Sequence, residues 1–174
     1  MEKMEENIVE VKDLRKTYGK DVIAVDSISF SVKKGEIFGF LGPNGAGKST
    51  TIKILTTLLE KTSGKATING LDIDEDQAKV RRIIGYSSQD VGVDDDLTAR
   101  ENLLLQCSFH HIRREKAEIK VNELLKTIRL AEAADRRLKT FSGGMRKRLD
   151  LASALVSEPN ILFLDEPTTG LDPQ

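Results

Sequence analysis

The chain has 174 residues, 39% apolar and 32% charged, with a net charge of -1. That length is enough for one domain burying about two thirds of its unfolded surface, and the composition excludes a disordered or membrane-spanning chain. The balanced charge leaves no basic footprint for nucleic acid, so no nucleic-acid partner is expected. The longest apolar runs, such as 161–164, fall far short of the roughly 20 residues that cross a bilayer. The charged start lacks an export signal's apolar core, so a cytoplasmic location is expected. Cys107 is the single cysteine and cannot close an internal disulfide; with only His110 and His111 near it, it reads as a buried or half-buried helix residue.

In chain order, 8–11 and 28–32 alternate apolar and polar side chains and predict strands. Residues 37–41 are almost continuously apolar, the pattern of a strand covered on both faces. A glycine-rich turn follows, then 48–59 place Ile52, Leu55, Leu58 and Leu59 on one helical stripe. Turn signals at Ser63-Gly64 and Asn69-Gly70 flank a strand at 65–68, and 83–87 predict another. From 98 to 130 the period becomes helical, with Ala117, Val121, Leu124, Leu125 and Ile128 sharing a face. His110 and His111 read as exposed helix residues, and the clusters Arg113-Arg114 and Arg146-Lys147-Arg148 as solvated helix faces. Ser142-Gly143-Gly144 opens a last helix carrying Leu149, Ala152, Leu155 and Val156. Glu158-Pro159 closes it, and a buried strand follows at 161–164. Strands interleaved with helices predict an α/β fold with an inserted helical subdomain.

Two segments carry chemistry. Gly42-Pro43-Asn44-Gly45-Ala46-Gly47-Lys48-Ser49 satisfies the phosphate-loop pattern between a predicted strand and a predicted helix. Gly45 and Gly47 let backbone N–H groups turn inward around phosphate oxygens, Lys48 reaches the β- and γ-phosphates, and Ser49 offers its hydroxyl to Mg²⁺. The predicted strand 161–164 ends in Asp165 and Glu166, at the carboxyl edge where α/β sheets bind ligands. Asp165 suits the Mg²⁺ shell, and Glu166 suits the polarising of an attacking water. Kinases and small GTPases share these two features. Ser142-Gly143-Gly144 is therefore the deciding segment: a serine and two glycines at a helix start form a second nest for an anion, or else a plain capped helix.

Taken together, the ordered segments resemble the ABC ATPase family over residues 9–174. Residues 42–49 look like the Walker A loop, Phe141-Ser142-Gly143-Gly144-Met145 like the family signature, 161–166 like Walker B, and Gly170-Leu171-Asp172 like the D-loop. Gln89 matches the Q-loop glutamine, and Tyr18 is placed like the aromatic that stacks on adenine.

The resemblance implies a P-loop NTPase core with a mixed sheet, flanking helices and an antiparallel amino-terminal part. The core would span about 1–90 and 158–174, and the helical subdomain about 91–157. ATP and Mg²⁺ are the implied cofactors. Nucleotide contacts are implied at Tyr18, Asn44, Gly45, Ala46, Gly47, Lys48, Ser49, Thr50, Ser142, Gly143, Gly144 and Asp172. Metal contacts are implied at Ser49, Gln89 and Asp165, and catalytic roles at Glu166, Lys48 and Gln89. Implied partners are transmembrane permease subunits and a second ATP-binding subunit docked head to tail, with the chain peripheral on the inner face of the membrane.

Phe141 and Met145 replace the commoner Leu and Gln of the signature. With Thr168-Thr169-Gly170-Leu171-Asp172-Pro173-Gln174, they look most like the drug-exporter branch related to daunorubicin-resistance ATP-binding subunits. The family pattern continues past the D-loop to a switch histidine; this sequence ends at Gln174, and both its histidines precede the signature. Three expectations remain open at this point: an ATPase driving export, a truncated chain that binds ATP without turnover, and a soluble ABC ATPase acting on nucleic acid or ribosomes.

Overall fold

The computed structural model describes residues 6–19, 21–88 and 92–167. The chain divides into two compact units, Met1–Arg81 and Arg82–Gln174.

The first unit is built on two long antiparallel strands, β1 (Asn7–Tyr18) and β2 (Val22–Lys33), in a sheet of order β2-β1-β3-β4 with β3 (Ser63–Ile68) and β4 (Leu71–Asp72). Both β1 and β2 run beyond the segments that alternate in sequence, because the alternation slips by one residue. Val9 and Val11 are buried, and then Leu14, not residue 13, turns inward with no exposure. The β1–β2 register shifts between Val11 and Leu14, Asp13 takes a positive φ of 50°, and its N–H donates to Ser29 Oγ at 2.8 Å. A bulge of this kind inserts one residue and resets the inward face. Helix α1 (Lys48–Leu55) buries Ile52, Ile54 and Leu55. It stops short of the expected 48–59: Thr57 turns to φ 60° and Leu58 is left exposed.

The strand expected at 37–41 does not form. Among the described residues neither sheet offers these residues a ladder partner, and Ile37 and Leu41 are almost fully exposed. Apolarity alone cannot make a strand, which is defined by hydrogen bonds to a neighbour. Part of the apolar run is instead used locally: Phe38 stacks on Phe30, and Phe40 meets both rings edge-on, with each pair of centroids 5.2 Å apart.

The short helix α2 (Gln77–Ile83) leads into the second unit. There β5 (Ile84–Ser87) pairs in parallel with β6 (Ile161–Leu164). A parallel pair requires a long crossover, which here contains α3 (Ala99–Phe109), α4 (Arg114–Thr127) and α5 (Gly143–Leu155). Their inward faces meet in one core that includes Leu103, Cys107, Val121, Leu125, Leu138 and Leu149. The 98–130 stretch, expected to be helical, holds the two helices α3 and α4. After α3, His111 adopts a left-handed φ of 55°, its N–H bonds to Ser108 O, and the Ile112 N–H reaches back to Cys107 O at 2.9 Å. This is a Schellman ending built without glycine. Both histidines are exposed, as expected, but they terminate a helix rather than lie within one. No helix among the described residues is long and apolar enough to cross a membrane.

Candidate functional site

The phosphate-loop pattern folds into a cradle within the first unit. The Ala46 N–H bonds to Pro43 O at 3.2 Å, closing a tight turn through Asn44 and Gly45, where Gly45 has φ 83°. Gly47 then caps α1 with φ 85° and no hydrogen bond from a capping side chain. A Cβ at Gly47 would lie 2.3 Å from the Ala24 carbonyl oxygen of β2; the loop can pass that strand only as glycine. Lys48 Nζ donates to Gly42 O at 2.8 Å and to Pro43 O at 2.9 Å, which folds the ammonium back over the mouth of the turn. Thr51 fastens the first helical turn by donating through both N–H and Oγ1 to Gly47 O. Ser49 and Thr50 follow on α1, both half-buried.

Tyr18 closes β1 and keeps 44% of its surface exposed, with the Lys16 ammonium 5.1 Å from its ring centroid.

The second unit positions the acids. Asp165 follows directly after β6, is buried, and donates its N–H to Ser87 O at 3.0 Å, extending the β5–β6 ladder by one bond. Glu166 is half-buried with a positive φ of 51°, a backbone that ends the strand sharply. The strand 161–164 was expected to be buried, yet Leu162 is exposed and its neighbours are half-buried. The reason is that β6 has a ladder partner on one side alone among the described residues. Ser142 is the N-cap of α5, its Oγ accepting the Met145 N–H at 3.3 Å, with Gly143 and Gly144 forming the first turn. Behind it Phe141 is buried, with the Arg136 guanidinium 5.8 Å over its ring.

The signature helix also departs from expectation in its basic cluster. Arg146 is paired with Asp95 at 2.6 Å, Arg148 donates to Ile128 O, and Lys147 is 2% exposed. Lys147 Nζ donates to Ser88 O at 2.9 Å and Ser87 Oγ at 3.3 Å. Asp150, also buried, accepts from Ser87 Oγ and from the Gly92 N–H at 3.0 Å. A charge is tolerated there because it is paired and hydrogen-bonded. The sequence reading missed this pair. Its signal was a lysine and an aspartate at i, i+3 in a segment otherwise rich in Leu and Ala. Beside it lies a cavity of about 250 Å³, lined in part by Tyr86, Gln106, His110, Asp150 and Ser153. His110, exposed overall but partly desolvated where it lines this cavity, has its pKa lowered first by that desolvation and then by the charges of His111 and Lys120.

Gln89 and Asp172 lie outside the described residues. Of the others, Tyr18 and 42–50 are held by the first unit, while Ser142, Gly143, Gly144, Asp165 and Glu166 are held by the second. Among the described residues there is no group of three or more His, Cys, Asp or Glu that could hold a metal. Among the described residues expected to touch a metal, the first unit holds the Ser49 hydroxyl and the second the strand-end carboxylate of Asp165. Each is an oxygen donor of the kind Mg²⁺ takes beside substrate phosphates, and neither unit holds a metal cage of its own among the described residues.

A family model described as "ABC transporter" matches residues 25–169. The chain is 47% identical over 167 residues to the doxorubicin resistance ATP-binding protein DrrA of Mycobacterium tuberculosis, covering 95% of this chain and 50% of that protein. It is 42% identical over 167 residues to the linearmycin resistance ATP-binding protein LnrL of Bacillus subtilis, covering 96% and 53%. The chain thus spans about half the length of the curated relatives it matches. Among solved structures, it resembles the ATP-binding cassette MJ0796 in a dimeric post-hydrolysis state bound to ADP and Pi. The TM-score is 0.86 and the identity 31%, over 94% of this chain and 76% of that one.

Proposed function

The chain belongs to the ABC transporter family, and from that premise we propose that it binds and hydrolyses MgATP to power export of drug- or lipid-like molecules through separate permease subunits. The observation that carries this reading is the cradle at 42–49, where Gly45 and Gly47 hold left-handed φ values and Lys48 arches over the turn. Backbone N–H groups of the cradle and the amino-terminal end of α1 supply the positive end that phosphates require. Lys48 exchanges its two loop carbonyls for β- and γ-phosphate oxygens. Tyr18 stacks on the adenine, and Asn44, Ala46 and Thr50 line the path of the phosphates.

Ser49, Asp165 and Gln89 would hold Mg²⁺, which supplies charge neutralisation on the phosphate oxygens. Glu166 orients a water in line with the γ-phosphorus and takes up its proton as the bond to the β-phosphate bridging oxygen breaks, releasing ADP and phosphate. Ser142, Gly143 and Gly144 form the second anion nest, engaging the nucleotide of another ATP-binding subunit docked head to tail, with Asp172 at that seam. The resemblance to a dimeric cassette supports the pairing. The relatives named for drug resistance support the export reading, and membership of a transporter family supports a peripheral position on the inner face of the membrane. The core is then about 1–90 with 158–174, and the helical subdomain about 91–157.

The test is calorimetry of MgATP on the protein and on Lys48→Ala, in parallel with phosphate release. Micromolar binding that vanishes in the variant, together with turnover that vanishes in Glu166→Gln, is the expected result. Binding without release in the unmodified protein leaves a nucleotide-binding module and removes the hydrolase. No binding by the folded protein overturns the reading.

A further inference from the structure

Lys16 and Tyr18 stand two residues apart on β1, across a shift in the β1–β2 register between Lys16 and Thr17. The Lys16 ammonium lies 5.1 Å from the Tyr18 ring centroid and donates to the Glu60 carbonyl oxygen at 2.7 Å. Glu60 belongs to the connection that follows α1, the helix carrying Lys48 and Ser49. The same connection is fastened to β1 twice more: the Thr17 N–H donates to Thr62 Oγ1 at 2.9 Å, and the Thr62 N–H to Arg15 O at 2.8 Å. Lys16 is half-buried, and its head is fixed between a ring face and a carbonyl rather than waving in solvent.

An aromatic ring has two faces. A cation on one face holds the ring in place and draws π density toward itself, so the opposite face becomes less negative and accepts a stacked base more readily. We infer that Lys16 is a positioning residue for base recognition: it braces Tyr18 from one side and tunes it to stack a purine on the other. It also ties that platform to the end of the phosphate-binding helix. The inference rests on the reading of Tyr18 as the adenine platform. It adds that the base contact depends on a neighbouring cation that touches no part of the nucleotide.

The test separates base from phosphate. Affinities of the protein, Lys16→Met, Lys16→Arg and Tyr18→Ala are measured for MgATP and for magnesium tripolyphosphate, which has the phosphates but no base, with thermal unfolding of each variant alongside. Lys16→Met is expected to weaken MgATP about two- to fivefold, the effect of a surface cation–π contact, and to leave tripolyphosphate unchanged. Lys16→Arg is expected to keep the ATP affinity. An unchanged or tighter ATP affinity in Lys16→Met overturns the inference, since the ammonium would then be idle or a competitor for the ring. An equal loss for both ligands overturns it too, because the lysine would merely support the fold. If Tyr18→Ala binds ATP as the unmodified protein does, the platform reading itself fails and takes the inference with it, whatever Lys16→Met does.

Discussion

Lys147 and Asp150 stand one turn apart on α5, 3.7 Å between Nζ and Oδ2, and grip two points of the same short stretch of backbone: the carbonyl of Ser88 and the amide of Gly92. Both side chains are buried, so removing one leaves the other as an uncompensated charge. Asp150→Ala is expected to destabilise the protein by about 3–5 kcal/mol in urea unfolding. The double change Lys147→Met with Asp150→Leu removes both charges and should recover most of that loss. A double variant as unstable as the single one would show that the hydrogen bonds to Ser88 and Gly92, rather than the charge pair, hold this region.

The cradle makes a prediction that compares two glycines. Gly45 and Gly47 have nearly the same left-handed φ, but a Cβ at Gly45 meets nothing within 4 Å whereas one at Gly47 meets the Ala24 carbonyl. Gly45→Ala therefore bears the conformational strain alone, about 1 kcal/mol. Gly47→Ala adds a backbone collision and should lose about 1–3 kcal/mol more, together with nucleotide binding. Thermal unfolding with MgATP titration of both variants checks the order; equal losses would mean that the loop can move off β2 freely.

How far the sequence foretold this structure depends on the range over which each feature is encoded. The cradle, the N-cap at Ser142 and the acids after β6 are set by contiguous residues with special backbone or capping chemistry, and they appear where the sequence places them. Residues 37–41 carry the apolar content of a strand, but pairing is a property of the neighbour, which composition does not report. The one-residue slip at Asp13 hid the true length of β1, since strict alternation ends where the bulge begins. Lys147 looked like a solvent residue because its partners at Ser87 and Ser88 are more than fifty positions away.

Helix α4 ends as α3 does. Arg129 takes φ 56°, its N–H bonds to Lys126 O, and the Leu130 N–H bonds to Leu125 O at 2.8 Å, so a left-handed residue without glycine's freedom closes a Schellman motif. Arg129 is exposed. Arg129→Gly should raise stability by about 0.5–1 kcal/mol, the relief of left-handed strain less the added entropy of the unfolded chain. Arg129→Ala should give no such gain. A shift in the urea midpoint with an unchanged slope is the readout.

The start of α3 links stability to pH. Thr98 Oγ1 accepts the Glu101 N–H at 3.1 Å and Glu101 Oε2 accepts the Thr98 N–H at 2.7 Å, a complete capping box. The Thr98 backbone bond, followed by its side-chain bond, lowers the Glu101 pKa below its ordinary 4.5. A carboxylate that ionises more readily in the folded chain stabilises fully above the unfolded pKa. Its contribution is lost as pH falls through the lowered folded value. Between pH 7 and about 5 the capping box should therefore give constant support, and below about 4.5 that support should decline. Glu101→Gln keeps an acceptor for the Thr98 N–H but has no proton to gain. The stability difference between the protein and this variant should be flat at neutral pH and shrink on acidification. Thr98→Ala, which removes the cap itself, should cost about 1 kcal/mol at pH 7. Melting temperatures of the three proteins from pH 7 to 3 provide the check. A difference between protein and Glu101→Gln that grows toward low pH would reverse the sign of the linkage and with it the assignment of the ionised form to the capping box.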